Sequence, residues 1–170
     1  MRQRKNNDRV VHGTGEWADA THNIHTGCEH DCGYCYAKAM AVRFKRPTPA
    51  EWSDPRPRTQ EAIDAIPDGS GGRIMLPSTH DITLENLDAC VLVLKSILKP
   101  GNEVLIVSKP HLVCVERLCA ELAEYRDQIA FQVTIGSADD TVLTLWEPGA
   151  PPFAERLASL KYAYDKGFET

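Results

Sequence analysis

No apolar run in this chain approaches the ~20 residues that a bilayer-spanning helix needs, and the opening Met1–Asn7 is polar with no hydrophobic segment behind it. Neither a membrane anchor nor a secretory leader is expected. The expected compartment is a reducing cytoplasm, where cysteines stay as free thiols. Positive charge is scarce as well: 19 Lys and Arg stand against 24 Asp and Glu, for a net charge of −5. That balance does not favour sustained binding to nucleic acid, which is a possible partner and no more. The one basic run near a terminus, Arg2, Arg4, Lys5 and Arg9, reads as a solvated tail. No fixed-period repeat is present, and the only low-complexity tract is Asp68-Gly-Ser-Gly-Gly72.

What the chain does have is Thr26-Gly-Cys28-Glu-His-Asp-Cys32-Gly-Tyr34-Cys35-Tyr36. Three cysteines in a C-x3-C-x2-C array, with an aromatic directly before the third, offer the soft thiolate sulfur that iron–sulfur clusters require. A cubane cluster has four irons, so three closely spaced thiolates leave the fourth open to a small ligand. A structural zinc would need a fourth ligand, which His25 or His30 offers, but no second C-x2-C follows to complete the usual paired knuckles. A disulfide would strand one of the three thiols.

Around this motif the chain is expected to fold as one α/β domain over 1–170, long enough to bury a real core. Residues 1–20 read as a surface lead-in near the motif. Thr21–His25 reads as a first strand, and Tyr36–Arg46 as a helix stopped by Pro47. Residues 47–72 hold five of the eleven prolines and are expected to be a Pro/Gly-rich connector with one short helix near Thr59–Ala65. Strands are then expected at Arg73–Pro77, Glu103–Val107 and Ile129–Ile135. Between them stand a helix capped by Thr83 from Leu84 onward, with Leu87, Cys90, Leu94 and Ile97 on one face, and a helix with Leu112, Val115, Cys119 and Leu122 aligned. A last helix from Pro152 to Gly167 is expected to bury Phe153, Leu157, Leu160 and Tyr164.

Strands and helices alternating at intervals of about thirty residues predict parallel βα units, hence part of a (β/α) barrel. The expected fold is a partial TIM-type barrel, truncated after about four units at Phe168-Glu-Thr170, where a next strand is due. Ile129–Ile135 would then be an open edge through which copies could self-associate. Functional groups in such folds gather at the C-terminal strand ends. Those ends carry the cysteine loop, Ser78-Thr79-His80-Asp81, Ser108-Lys109, and Thr134 with a following loop of Asp139, Asp140 and Glu147. Cys90 and Cys119 read as core thiols on apolar helix stripes, Cys114 falls on a different face of the same helix as Cys119, and His12, His22, His25, His30 and His111 read as loop or surface histidines.

The cysteine motif closely resembles that of the radical S-adenosylmethionine family. The landmarks Ser78-Thr-His-Asp81, Val107-Ser-Lys109, Trp146-Glu-Pro-Gly149 and Arg156-Leu157 resemble its subgroup related to spore photoproduct lyase, over roughly residues 20–170. The resemblance implies a [4Fe-4S] cluster on Cys28, Cys32 and Cys35, with S-adenosylmethionine chelating the open iron. It implies cofactor contacts at Tyr34 (near the adenine), Thr79, Ser108, Lys109 (at the carboxylate) and Thr134, and it sets His80 where the family has a cofactor-contacting serine. Reductive cleavage to methionine and a 5′-deoxyadenosyl radical, which takes hydrogen from a substrate, is the implied activity. An electron donor such as flavodoxin or ferredoxin is the implied partner. The lyase returns hydrogen to DNA from a cysteine at the position of Ser78. A serine O–H bond is too strong for that step, so thymine-dimer repair is not implied.

Overall fold

A computed structural model of the chain describes residues 12–44, 46–67 and 72–170. The basic run Arg2 to Arg9 and most of the Asp68–Gly72 tract lie outside the described residues. In chain order, β1 (Ala20–Thr21) is followed by β2 (His25–Thr26), the cysteine loop and α1 (Tyr36–Arg43). The connector holds α2 (Pro49–Trp52), β3 (Arg56–Pro57) and α3 (Gln60–Asp64). Then come β4 (Arg73–Met75), α4 (Leu87–Leu98), β5 (Glu103–Ser108), α5 (Leu112–Glu121), β6 (Ile129–Val133), α6 (Asp140–Trp146) and α7 (Phe153–Asp165).

β1, β4, β5 and β6 form one sheet in that order, parallel throughout. Side chains alternate across it, as the pleat demands. Ile74, Val104, Ile106, Ile129 and Phe131 join α4 and α5 in the main core, while Met75, Leu105, Val107 and Ala130 form a second, smaller cluster with Ala18. The first face is sealed by helices, and the second opens toward the cysteine loop. Leu87, Cys90, Leu94 and Ile97 are all buried along α4, as their spacing predicts.

Several expectations change. Thr21–His25 is not one strand: the chain leaves the sheet after Thr21, and His25 pairs instead with Pro57 in a small antiparallel ribbon. His80 explains the departure, because its Nε2 accepts the N–H groups of Ile24 (3.2 Å) and His25 (3.4 Å), which a continuing strand would have given to a ladder. The helix expected from Leu84 starts three residues later, at Leu87. Asn86 folds the preceding turn by accepting from Thr83 N and donating to Asp81 O.

On α7 the buried residues are Arg156, Ser159 and Ala163, whereas Leu157 and Tyr164 are exposed. A charge has taken the core position there, and its partner lies in the site described below. The β6 edge is not bare either. Glu169 makes a parallel bridge to Ala130, Phe131 N donates to Glu169 O at 2.7 Å, and Phe168 packs edge-on against Phe131. Among the described residues, no helix is long and apolar enough to cross a membrane.

Candidate active site

The cysteine loop is fixed by the connector beneath it. Gly27 adopts φ +96°, and a Cβ there would stand 2.6 Å from Trp52 O, the same carbonyl that accepts Cys28 N at 2.8 Å. Glycine is required at that turn on both counts. Trp52 is buried against Cys28, Cys35 and Ala37, so the Pro-rich segment is built into the loop's floor and is not a free linker. Cys35 caps α1, its sulfur accepting from Lys38 N. Lys38 in turn pairs with Asp31.

From the other side the loop is held by residues 146–149. Gly33 N donates to Trp146 O at 2.8 Å and Gly149 N to His30 O at 3.1 Å. A Cβ at Gly149 would meet Glu29 O at 2.3 Å, closer than any side chain tolerates. The Tyr34 hydroxyl donates to Glu147 Oε1, and Glu147 Oε2 pairs with Arg156 Nη1 at 2.5 Å. Arg156 is 0 % exposed and Glu147 is 2 % exposed. Arg156 also donates from Nε to Pro151 O and from Nη1 to Thr134 O.

All three thiols line one cavity of about 890 Å³. Tyr34, Thr79, His80, Lys109 and Thr134 line it too, together with Met75 and Val107 from the open sheet face and His12, Gly13, Thr14, Glu16 and Trp17 from the lead-in. Ser108 does not line it. Ser108 is buried behind, where its hydroxyl donates to Asp81 Oδ1 (2.9 Å) and accepts from Ile82 N (3.1 Å). His80 lines the cavity with both ring nitrogens engaged, Nδ1 lying 3.0 Å from Asp81 O. A ring that accepts two N–H groups on Nε2 must be neutral, and burial lowers its pKa to about 4. Asn23 holds the following turn, accepting from the N–H groups of Ser78 and Thr79 at 2.8 and 2.9 Å.

Asp81 is the electrostatic centre. Burial works to raise its pKa, but the bond with His30 and the charge and backbone N–H of Lys109 outweigh that and hold it well below the usual carboxylate range. Its Oδ2 lies 3.0 Å from His30 Nδ1, 3.8 Å from Lys109 Nζ and 3.7 Å from Cys28 Sγ. Burial, followed by the Asp81 charge, pushes the Cys28 thiol up to about 12. Burial likewise takes Cys32 to about 11.

The donor set offers two kinds of metal site. A tetrahedral zinc, at about 2.3 Å per Zn–S bond, draws its sulfurs to within ~4 Å of one another. Among the described residues, the one group of three ligand atoms within 4.8 Å is Cys28, His30 and Asp81, not the three thiols. Thiols spread around a shared cavity fit a group of several irons. The Cys28–His30–Asp81 group could hold a single ion.

The radical SAM superfamily model matches residues 22–170. The chain belongs to that superfamily. A protein of Acidianus two-tailed virus, described as "Uncharacterized protein ORF301", is 31% identical over 159 residues, covering 86% of this chain and 52% of that protein. This radical SAM chain therefore spans about half the length of the curated relative it matches. No solved structure matches it.

Several residues in and behind the cavity wall have no role that the sequence assigns. Asp81, Glu147 and Arg156 carried a signal, since each stands within a family landmark, but their burial was not foreseen. His22 and His30 are buried and not at the surface, with His22 Nε2 2.9 Å from Ile63 O and His30 against Asp81. Asn23 and Trp52 carried no signal at all, because their roles arise from contacts between segments distant in sequence.

Proposed function

We propose that Cys28, Cys32 and Cys35 hold a [4Fe-4S] cluster with S-adenosylmethionine on its open iron. In this reading the chain uses the pair to generate a radical that abstracts hydrogen from a substrate. The convergence of the three thiols and Lys109 on one cavity carries the reading. When bound, the cluster supplies an electron that breaks the sulfonium C–S bond of S-adenosylmethionine. The chain's own part is to bind and shield. Lys109, held beside Asp81, offers an ammonium to the cofactor's carboxylate. Tyr34 offers an aromatic face, and Thr79 and Thr134 offer polar groups on the same cavity. Met75 and Val107 keep the inner wall apolar, which limits water at the reacting atoms.

The landmarks around Asp81, Lys109 and Trp146–Arg156 favour the subgroup related to spore photoproduct lyase, with the parallel sheet as part of a (β/α) barrel. Flavodoxin or ferredoxin in the cytoplasm is the fitting electron donor. Self-association along β6 beyond Ala130–Phe131 is the fitting homotypic contact.

The deciding experiment is anaerobic reconstitution followed by reduction in the presence of S-adenosylmethionine. A brown protein with about four irons per chain that releases 5′-deoxyadenosine is expected. A colourless protein that takes one zinc, lost on His30→Ala, would establish instead the zinc-binding interaction module that the Cys28–His30–Asp81 convergence favours. A brown protein that makes no 5′-deoxyadenosine would reduce the chain to a cluster-holding piece.

A further inference from the structure

The buried pair Glu147–Arg156 has no evident reason to be ionic if its task is packing. Replacing a buried ion pair by apolar side chains of similar volume is often neutral or stabilising, and the bonds that Arg156 donates to Pro151 O and Thr134 O account for the guanidinium but not for the Glu147 carboxylate. What only a carboxylate can do here is present a second oxygen outward. Glu147 Oε2 is taken by Arg156, and Oε1 accepts the Tyr34 hydroxyl. Tyr34 is itself half exposed at the cavity, with Lys109 Nζ 5.9 Å from its ring centroid. Its ring is thus held at two points, by Glu147 at the hydroxyl and by Lys109 over the face.

We propose that Glu147 and Arg156 are positioning residues that fix the ring of Tyr34, so that helix α7, which contributes no side chain to the cavity, sets the surface on which the base of S-adenosylmethionine rests. This rests on the cofactor reading above. Arg156 locks the carboxylate in one orientation, the carboxylate locks the phenol, and the ring is presented to the cofactor already ordered. Preorganisation of this kind raises affinity by removing the cost of ordering on binding.

Two measurements test it. In the cluster-free chain, urea unfolding of Tyr34→Phe, of Glu147→Met/Arg156→Met and of all three together measures the link alone. The triple variant should lose less than the sum of the other two, and additive losses would overturn the proposal. In the cluster-loaded chain, Tyr34→Phe and Glu147→Met/Arg156→Met should each weaken S-adenosylmethionine binding about fivefold, the worth of one hydrogen bond. The triple variant should be no worse, and the shift that S-adenosylmethionine causes in the reduced cluster's electron paramagnetic resonance signal should broaden in all three. Unchanged affinity in Tyr34→Phe overturns the positioning role. If Glu147→Met/Arg156→Met loses its native circular dichroism, Arg156→Lys with Tyr34→Phe runs the same cycle. A wild-type chain that takes up no cluster overturns the cofactor reading, and the positioning role with it, even where the unfolding cycle shows coupling.

Discussion

Lys109 meets Asp81 twice: its backbone N–H donates to Oδ1 at 2.6 Å and its ammonium lies 3.8 Å from Oδ2. The first contact fixes where β5 ends, and the second keeps the ammonium at the cavity wall while leaving room for another anion. Lys109→Ala should leave iron content unchanged and weaken S-adenosylmethionine binding roughly ten- to hundredfold, since a charge-assisted bond is worth about 1.5–3 kcal/mol. Equilibrium binding to the loaded protein checks this. An unaltered affinity would make Lys109 merely the partner of a buried carboxylate.

The six cysteines should divide in two. Cys28→Ala, Cys32→Ala and Cys35→Ala should each abolish the broad visible absorption of a reconstituted cluster. Cys90, Cys114 and Cys119 are buried in the α4 and α5 core, away from the cavity. Their alanine variants should keep the absorption, at a stability cost of about 1 kcal/mol for the lost packing. Iron per chain, measured beside the spectrum, decides the assignment. Loss of the cluster in any of these three would undo it.

The strands from Arg73 onward and the helices between them were legible because hydrophobic periodicity is a local signal. Long-range polar contacts are not local, and they account for what was missed. The break after Thr21 depends on the His80 ring, 56 positions from the Ile24 N–H it accepts. The role of the connector depends on Trp52 O meeting Cys28 N. The sequence over helix α6 predicts an acidic loop, since Asp139 and Asp140 mark both loops and helix starts; in the structure Asp139 caps the helix by accepting from Thr141 N. The apolar stripe expected on α7 failed because Arg156, a residue almost never buried unpaired, found Glu147. The cysteine motif was legible outright, but its geometry beside His30 and Asp81 was not.

Gly149→Ala should act on the cysteine loop from outside it. The new Cβ would stand 2.3 Å from Glu29 O and 2.8 Å from His30 Cα, both backbone atoms that cannot rotate away. The loop or the 146–149 segment must shift, at a cost of about 1–3 kcal/mol by analogy with overpacked cores. Thermal unfolding should fall by several degrees, roughly 2–4 °C per kcal/mol in a chain of this size. Reconstituted iron should drop with it. Gly101→Ala is the control: among the described residues, nothing beyond its chain neighbours lies within 4 Å of where the new Cβ would stand, but its φ of +93° strains the backbone. It should therefore lower stability without lowering iron content.

Stability should depend on pH through His80. The ring is neutral in the folded chain, with its pKa lowered from 6.5 to about 4 by burial, against the opposing pull of the Asp81 carbonyl. The unfolded ring keeps its ordinary value, so between about pH 6.5 and about pH 4 the unfolded state binds the extra proton. The stabilisation is therefore complete above 6.5, declines as pH falls through that window, and levels off below about 4. At 1.36 kcal/mol per unit the decline amounts to about 3 kcal/mol. His22 and His25, whose pKa values burial also lowers, act in the same direction. Asp81 acts elsewhere, since a carboxylate held below its ordinary value of 3.8 gives up stability only at still lower pH. Urea midpoints of the cluster-free chain, taken from pH 7.5 down to pH 4, should therefore slope downward, and His80→Gln should flatten the slope while lowering the midpoint at pH 7.5. A slope in His80→Gln equal to the wild type's would move the titration to another group and return the His80 ring to an ordinary protonated state below neutrality.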